Sequence, residues 1–257
     1  MFESAERLLD PMEIRTITIV GNGNVAEHYN NVMLKKGLDV KIVSSHEPFN
    51  RKYFSSDLVI LAVKDDALPQ VTQNILQSLQ SPLEDNQILV HTSGYMQTDF
   101  LSSLCKNYGS FYPLQTLKKG IEIDFSDVPL CTWANNEKSM QLLERLAKKL
   151  SNIHYTLTDE QRKTLHISAV FANNFTNHLM YISKTLMENK DLSFELLYPL
   201  INKTFENIKQ KDPKLCQTGP AFRNEKHIMQ EHLKQLSLLE QEIYTSISKS
   251  IINTYKD

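Results

Sequence analysis

The chain has 257 residues, enough for one large domain or two of ordinary size, and its 28 Lys and Arg against 30 Asp and Glu give a formal charge of -2. With charge so nearly balanced and no block of consecutive basic residues, neither a nucleic-acid backbone nor an acidic membrane surface is an expected partner. Cys105, Cys131 and Cys216 stand far apart, without the close Cys or His spacing of a zinc site or a disulfide framework, so they read as reduced thiols and no metal is expected.

The opening MFESAERLLDPMEIR is charged and holds no apolar run of signal-peptide length, and nothing further along approaches the roughly eighteen consecutive apolar residues of a membrane span. A soluble cytoplasmic protein is the expectation, with residues 1–13 as a tail. From Ile14 to about Tyr155, short apolar runs alternate with helical stretches: TITIV, DVKIVS, DLVILAV, QILVHTS, GSFYPL and VPLCTW. Most lack a clean polar alternation, as expected of strands covered on both faces. The pattern predicts an α/β domain over 14–155, a mostly parallel, doubly wound sheet with helices on both faces.

After about Thr156 helical periodicity takes over, with Leu165, Ala169, Ala172, Leu179, Ile182 and Leu186 at three-, four- or seven-residue intervals. Helices are predicted over Asp159–Asn189, Ser193–Lys211, Asn224–Leu236 and about Leu238–Tyr255, making 156–257 an all-α C-terminal domain. Thr158, three residues before Gln161, has the form of a capping box. Gly37 suits the end of the first helix, and Gly219 a break between later ones.

The stretch TIVGNGNVAEHY joins the first strand to the first helix. In GNGNVA, Gly21 permits the tight turn, Gly23 lets backbone approach a diphosphate, and Ala26 sits where only a small side chain packs; Asn22, Asn24 and Val25 complete the loop. The helix N-terminus would then face phosphates. The alternative is a purely structural turn. The second strand ends at Ser44 and Ser45, with Arg51 and Lys52 soon after; this suits a 2′-phosphate and favours NADP over NAD. Glu47 curling back would reverse that choice.

Ligands of open parallel sheets lie beyond the carboxyl ends of the strands, here Ala62 and Val63 to Asp65, Ser93 with Gly94, and Tyr112 to Thr116. Ser93 and Gln115 are candidates to bond a nicotinamide amide or a substrate. Ser93 has the competing role of starting a turn, Asp65 that of capping a helix, and His91 that of a packed core residue. In LHISAVFANNFTNHLM, His166, Asn173 and Asn177 fall in one arc of a regular helix; His166 is a candidate proton donor or acceptor, and the asparagines candidate carbonyl ligands. The competing reading is that they satisfy buried backbone or a subunit interface. In TGPAFRNE, Arg223 could grip an anionic substrate or pair with Glu225 or Asp212.

Taken together, IVGNGNVA, DLVILAVKDDAL, VHTSG, FYPLQT, LHISAVFANNFTNHLM and TGPAFR resemble a family of bacterial Rossmann-like proteins with a C-terminal helical domain of unknown function (DUF2520-type), generally labelled NADP oxidoreductases. More distantly they resemble pyrroline-carboxylate, ketopantoate and hydroxyacid reductases. The resemblance implies that the glycine loop and Ser44 bind NADP, that the helices make a homodimer, and that a small molecule is reduced or oxidised; it assigns no substrate. A ligand-binding or NADP(H)-sensing protein without redox chemistry is the alternative. Two departures stand out. Relatives often have His before the Pro of the fifth-strand motif, where this chain has Tyr112 before Pro113, which counts against catalysis there. The hydroxyacid reductases place Lys three or four residues before the helix Asn, where this chain has Ala169 and Val170.

Overall fold

The computed structural model describes residues 13–46 and 48–255; Glu47 and nearly all of the expected N-terminal tail lie outside the described residues. The six expected apolar runs form β1 (Thr16–Val20), β2 (Asp39–Val43), β3 (Leu58–Leu61), β4 (Ile88–His91), β5 (Asn107–Pro113) and β6 (Leu130–Ala134). β7 (His154–Thr156) has three residues, too few to show a period in sequence. One sheet takes them in the order β2-β1-β3-β4-β5-β6-β7.

Every neighbouring pair is parallel except β5 with β6. The link between those two holds only a short 3₁₀ turn, Phe125–Asp127, and antiparallel neighbours need no helical crossover. Elsewhere α1 (Asn24–Lys35) joins β1 to β2, α2 (Leu68–Leu79) precedes β4, and α3 (Glu137–Leu150) precedes β7.

Alternation within β3 shows why the runs carry no polar face. Leu58 and Ile60 pack among α1 and α3 residues such as Tyr29 and Leu143, whereas Val59 and Leu61 pack among α2 residues such as Val71 and Ile75. Both faces are therefore core, and each such side chain contributes on the order of 1.5–3 kcal/mol by leaving water. The chain leaves β1 toward β2 on one side and resumes at β3 on the other. That switch of direction opens a crevice at the carboxyl ends of β1 and β3.

Beyond β7, α4 (Asp159–Ala169) starts at the Thr158–Gln161 capping box. The expected unbroken helix to Asn189 is interrupted: six residues, Val170–Phe175, are π-helical before α5 (Thr176–Glu188). α6 (Tyr198–Gln210) follows a 3₁₀ turn, and α8 (Leu238–Thr254) is close to expectation. α7 (Lys226–Leu233) is shorter than the expected Asn224–Leu236 at both ends; it starts late because Asn224 has φ 54°, left-handed backbone that a right-handed helix cannot include.

The chain divides into two compact units, one ending at Ala172 and one beginning at Asn173. α4 thus belongs with the sheet, whereas the expected border at 155/156 assigned it to the helices. In the second unit Ala221 is the only buried residue among those described, and Leu196, Leu215 and Leu238 are 66%, 78% and 81% exposed. Among the described residues no helix is long and apolar enough to cross a membrane.

Candidate active site

The glycines of the first loop have different reasons to be glycine. Gly21 has φ +122°, and a Cβ there would stand 2.3 Å from the Ala62 carbonyl oxygen at the end of β3. Its amide donates to Val43 O at 2.9 Å, so the turn is pinned against both neighbouring strands. Gly21 is required by the fold. A Cβ on Gly23, in contrast, would meet nothing within 4 Å.

Gly23 is the N-cap of α1 and supplies no side chain to the first-turn amides. Those amides and the positive end of the helix face a space that a Cβ would fill, which is the cradle a diphosphate needs. Ala26 is fully buried. The loop fits a dinucleotide.

At the end of β2, the Ser44 hydroxyl accepts from the His46 amide at 3.2 Å. Arg51 is committed elsewhere: its guanidinium donates to Glu84 Oε1 and Pro82 O at 3.2 and 3.0 Å and also bonds the Ser81 hydroxyl. Lys52 Nζ lies 5.2 Å from the Tyr53 ring centroid. Arg51 thus has partners on the segment after α2, while Lys52 is exposed. Gln115 is exposed, with its Oε1 accepting from the Thr116 amide at 2.8 Å.

At the end of β4, Ser93 Oγ accepts from the Tyr95 and Met96 amides at 3.0 and 2.9 Å, leaving its hydroxyl proton as the group it can offer outward. His91 is fully buried, stacks on Phe100, and accepts from the Ser93 amide through Nδ1 at 3.1 Å. Burial, helped by the charge of Arg162, brings its pKa down to about 3. It is a neutral core residue. Asp65 opens a 3₁₀ turn, and the N-cap of α2 is Ala67.

Where β5 ends, Tyr112 Oη lies 3.2 Å from His166 Nδ1, with the rings edge to face at 6.0 Å between centroids. Burial, with smaller effects from Cys131 and Asp65, pushes the Tyr112 phenol up to about 12, so at neutral pH it keeps its proton and can donate. Gly94 fits beneath this pair. A Cβ on it would stand 2.5 Å from His166 Nδ1 and 2.8 Å from Tyr112 Cζ.

Arg162, one turn before His166, fixes α4 in place. It is 0% exposed; Nη1 donates to Ser110 Oγ at 2.8 Å and Asp159 Oδ1 at 2.7 Å, and Nη2 donates to Met96 O. Asp159 Oδ2 also accepts from the Thr98 amide and hydroxyl at 2.8 and 3.1 Å. Burial raises the Asp159 carboxyl, but these bonds outweigh it and hold the group below the usual carboxylate range.

Tyr112 and Arg162 escape sequence reasoning. Tyr112 stands where relatives often carry His, which obscured that a phenol can hold the same proton. Arg162 is one charged residue among several in the polar first turns of α4, and four-residue spacing to His166 was the available signal. Asn173 and Asn177 belong to the second unit and are exposed. A π turn holds more residues than an α turn, so the arc drawn for a regular helix does not carry across Val170–Phe175. Arg223 makes a bidentate pair with Glu225, at 2.8 Å from Nε and 3.0 Å from Nη2, so the ion pair is the alternative that forms.

Residues 128–251 match a family described as a domain of unknown function (DUF2520). A solved protein from Bacteroides fragilis, provisionally labelled an NADP oxidoreductase, is 30% identical, superposes with a TM-score of 0.82, and is matched over 94% of this chain and 99% of its own. The chain belongs to this family of Rossmann-like proteins with a C-terminal domain of unknown function. A Thermotoga maritima structure shares the fold at 19% identity and TM-score 0.62, over 93% and 98% of the two chains. So does an imine reductase from Myxococcus stipitatus in complex with NADP+, at 11% identity and TM-score 0.59, over 93% and 92%. No curated protein matches the sequence.

Proposed function

We propose that this protein is an NADP-dependent oxidoreductase acting on a small carbonyl, imine or hydroxy compound. The observation that carries the reading is that a loop able to hold a diphosphate and a phenol that keeps its proton stand at the carboxyl ends of strands in one sheet. The NADP label of the Bacteroides fragilis relative and the NADP+ of the imine reductase support the choice of cofactor. Bound NADPH would supply the hydride.

The chain's own groups supply the rest. First-turn amides of α1 bind the diphosphate, Ser44 and Ser45 take the 2′-phosphate, and the Ser93 hydroxyl proton orients the carboxamide. Tyr112 Oη gives its proton to the substrate oxygen or nitrogen as negative charge develops there, and His166 Nδ1 returns one to the phenol oxygen. In the oxidative direction the same pair removes the proton. Asn173, Asn177 and Arg223 are assigned no step.

The second unit is completed by a second copy of the chain. Its helices leave large apolar side chains such as Leu196, Leu215 and Leu238 exposed, a surface that a second copy of the chain would cover. Sedimentation should give a dimer at micromolar protein; a stable monomer would overturn this assembly.

Gly23→Ala tests the function directly. Because the added methyl meets no atom of the protein, the melting temperature should stay where it is. Saturating NADPH should raise the wild-type midpoint on the order of 5–10 °C and the variant's hardly at all. Carbonyl and imine substrates should then be turned over by the wild type. A wild-type melt unmoved by NADPH and NADH would refute nucleotide binding, and binding without turnover across such a panel would refute the enzyme.

A further inference from the structure

Lys119 is a basic residue that the structure holds beside the glycine loop. It lies in the link between β5 and β6, where its backbone amide donates to Asn24 Oδ1 at 3.1 Å. The next amide, Gly120, donates to Glu27 Oε1 at 2.8 Å, and the carbonyl of Ile121 lies 2.9 Å from His28 Nε2. Three successive residues are thus tied to the first turns of α1. Gly120 has φ +76° and open space where a Cβ would be, so the strap needs glycine there for its backbone alone.

The strap places the Lys119 ammonium 3.5 Å from the Asn22 carbonyl and 3.6 Å from Glu27 Oε2. Glu27 is the acidic residue of the first turn of α1, close to where the loop would receive an anion. Its carboxylate suits the helix dipole but repels a diphosphate. Lys119 offsets that repulsion with a flexible, 61% exposed side chain carrying three donors.

Resting on the NADP reading above, we propose that Lys119 is a cofactor-binding residue that bonds the diphosphate directly. The same segment leaves β5 two residues after Tyr112 and ends on the phosphate loop, so it connects the proton donor to the diphosphate site.

Calorimetric titration of the full-length protein with four probes tests this. Lys119→Ala should weaken NADPH, NADH and ADP-ribose about ten-fold each, the lower range for a hydrogen bond to a charged group, and leave 2′-AMP unchanged. Lys119→Arg should retain most of the affinity. The loss should persist in a Glu27→Gln background, where the carboxylate partner is gone. Equal binding by wild type and Lys119→Ala, a loss confined to 2′-AMP and NADPH, or a loss abolished by Glu27→Gln would each overturn the assignment while leaving the cofactor reading intact. A wild type that binds none of the diphosphate ligands would overturn both.

Discussion

Gly94→Ala should separate the Tyr112–His166 pair from everything else in the crevice. Gly94 has no positive φ, so alanine costs the backbone nothing. Its methyl would stand 2.5 Å from His166 Nδ1 and 2.8 Å from Tyr112 Cζ, where ordinary contacts are about 3.5 Å. The two contacts must open by about 1.0 and 0.7 Å, which disturbs the 3.2 Å Oη to Nδ1 bond. Overpacking of this kind costs about 1–3 kcal/mol of stability. A misplacement near 1 Å at reacting groups costs on the order of 100-fold in rate, or about 2.7 kcal/mol of barrier.

The assay is nicotinamide absorbance with whichever carbonyl or imine the wild type reduces, together with calorimetric NADPH affinity and a urea melt. kcat should fall about 100-fold while cofactor affinity changes little and the protein remains folded. If kcat stays within about three-fold of wild type, the pair is structural and the proton comes from elsewhere.

Tyr112→Phe keeps the ring and removes the proton, so turnover should fall by about 10²–10⁴ with NADPH affinity unchanged; a near-normal rate would clear Tyr112 of the role. Arg162→Met should destabilise by about 3–5 kcal/mol in urea, because Asp159, Ser110 and the Met96 carbonyl lose a partner that is itself fully buried; a cost below about 1 kcal/mol would contradict the anchoring role. His91, held near pKa 3 by burial, binds its proton more weakly folded than unfolded, so stability is whole above about pH 6.5 and falls as pH drops toward 3. At pH 5 the loss is about 2 kcal/mol, and His91→Asn should remove it from a pH series of urea melts. The Asp159 carboxylate adds a second loss below its ordinary value of 3.8, and the raised Tyr112 gives a third as pH rises from 10 toward 12.

Much of the sheet was legible because strands buried on both faces must be apolar throughout, and the six runs stood between turn signals. What escaped was what local pattern does not encode. The reversed direction of β6 depends on how its connection is routed. The π turn at Val170–Phe175 depends on backbone hydrogen bonding that leaves no mark on residue choice, so the arc joining His166 to Asn173 and Asn177 assumed a regular helix. Burial of Arg162 depends on Ser110 and Met96, residues 52 and 66 positions away.

The glycines show the same limit most sharply. In sequence Gly21 reads as the residue of a tight turn, Gly23 as the place where backbone approaches a diphosphate, and Gly94 as part of the end of a strand. In three dimensions a Cβ on Gly21 or Gly109 collides with backbone, Ala62 O at 2.3 Å and Trp133 O at 1.9 Å, so those two are demanded by the fold. On Gly94 it collides with two side chains that bond one another, so that glycine is demanded by the Tyr112–His166 contact. On Gly23 it meets nothing within 4 Å, so no steric clash inside the protein accounts for the missing side chain. A position kept small for the protein's own sake should destabilise when enlarged, whereas one kept small for a ligand should enlarge silently until the ligand is added. Gly21→Ala and Gly23→Ala are therefore expected to differ in kind: the first loses the fold in the absence of any nucleotide, and the second loses only the nucleotide.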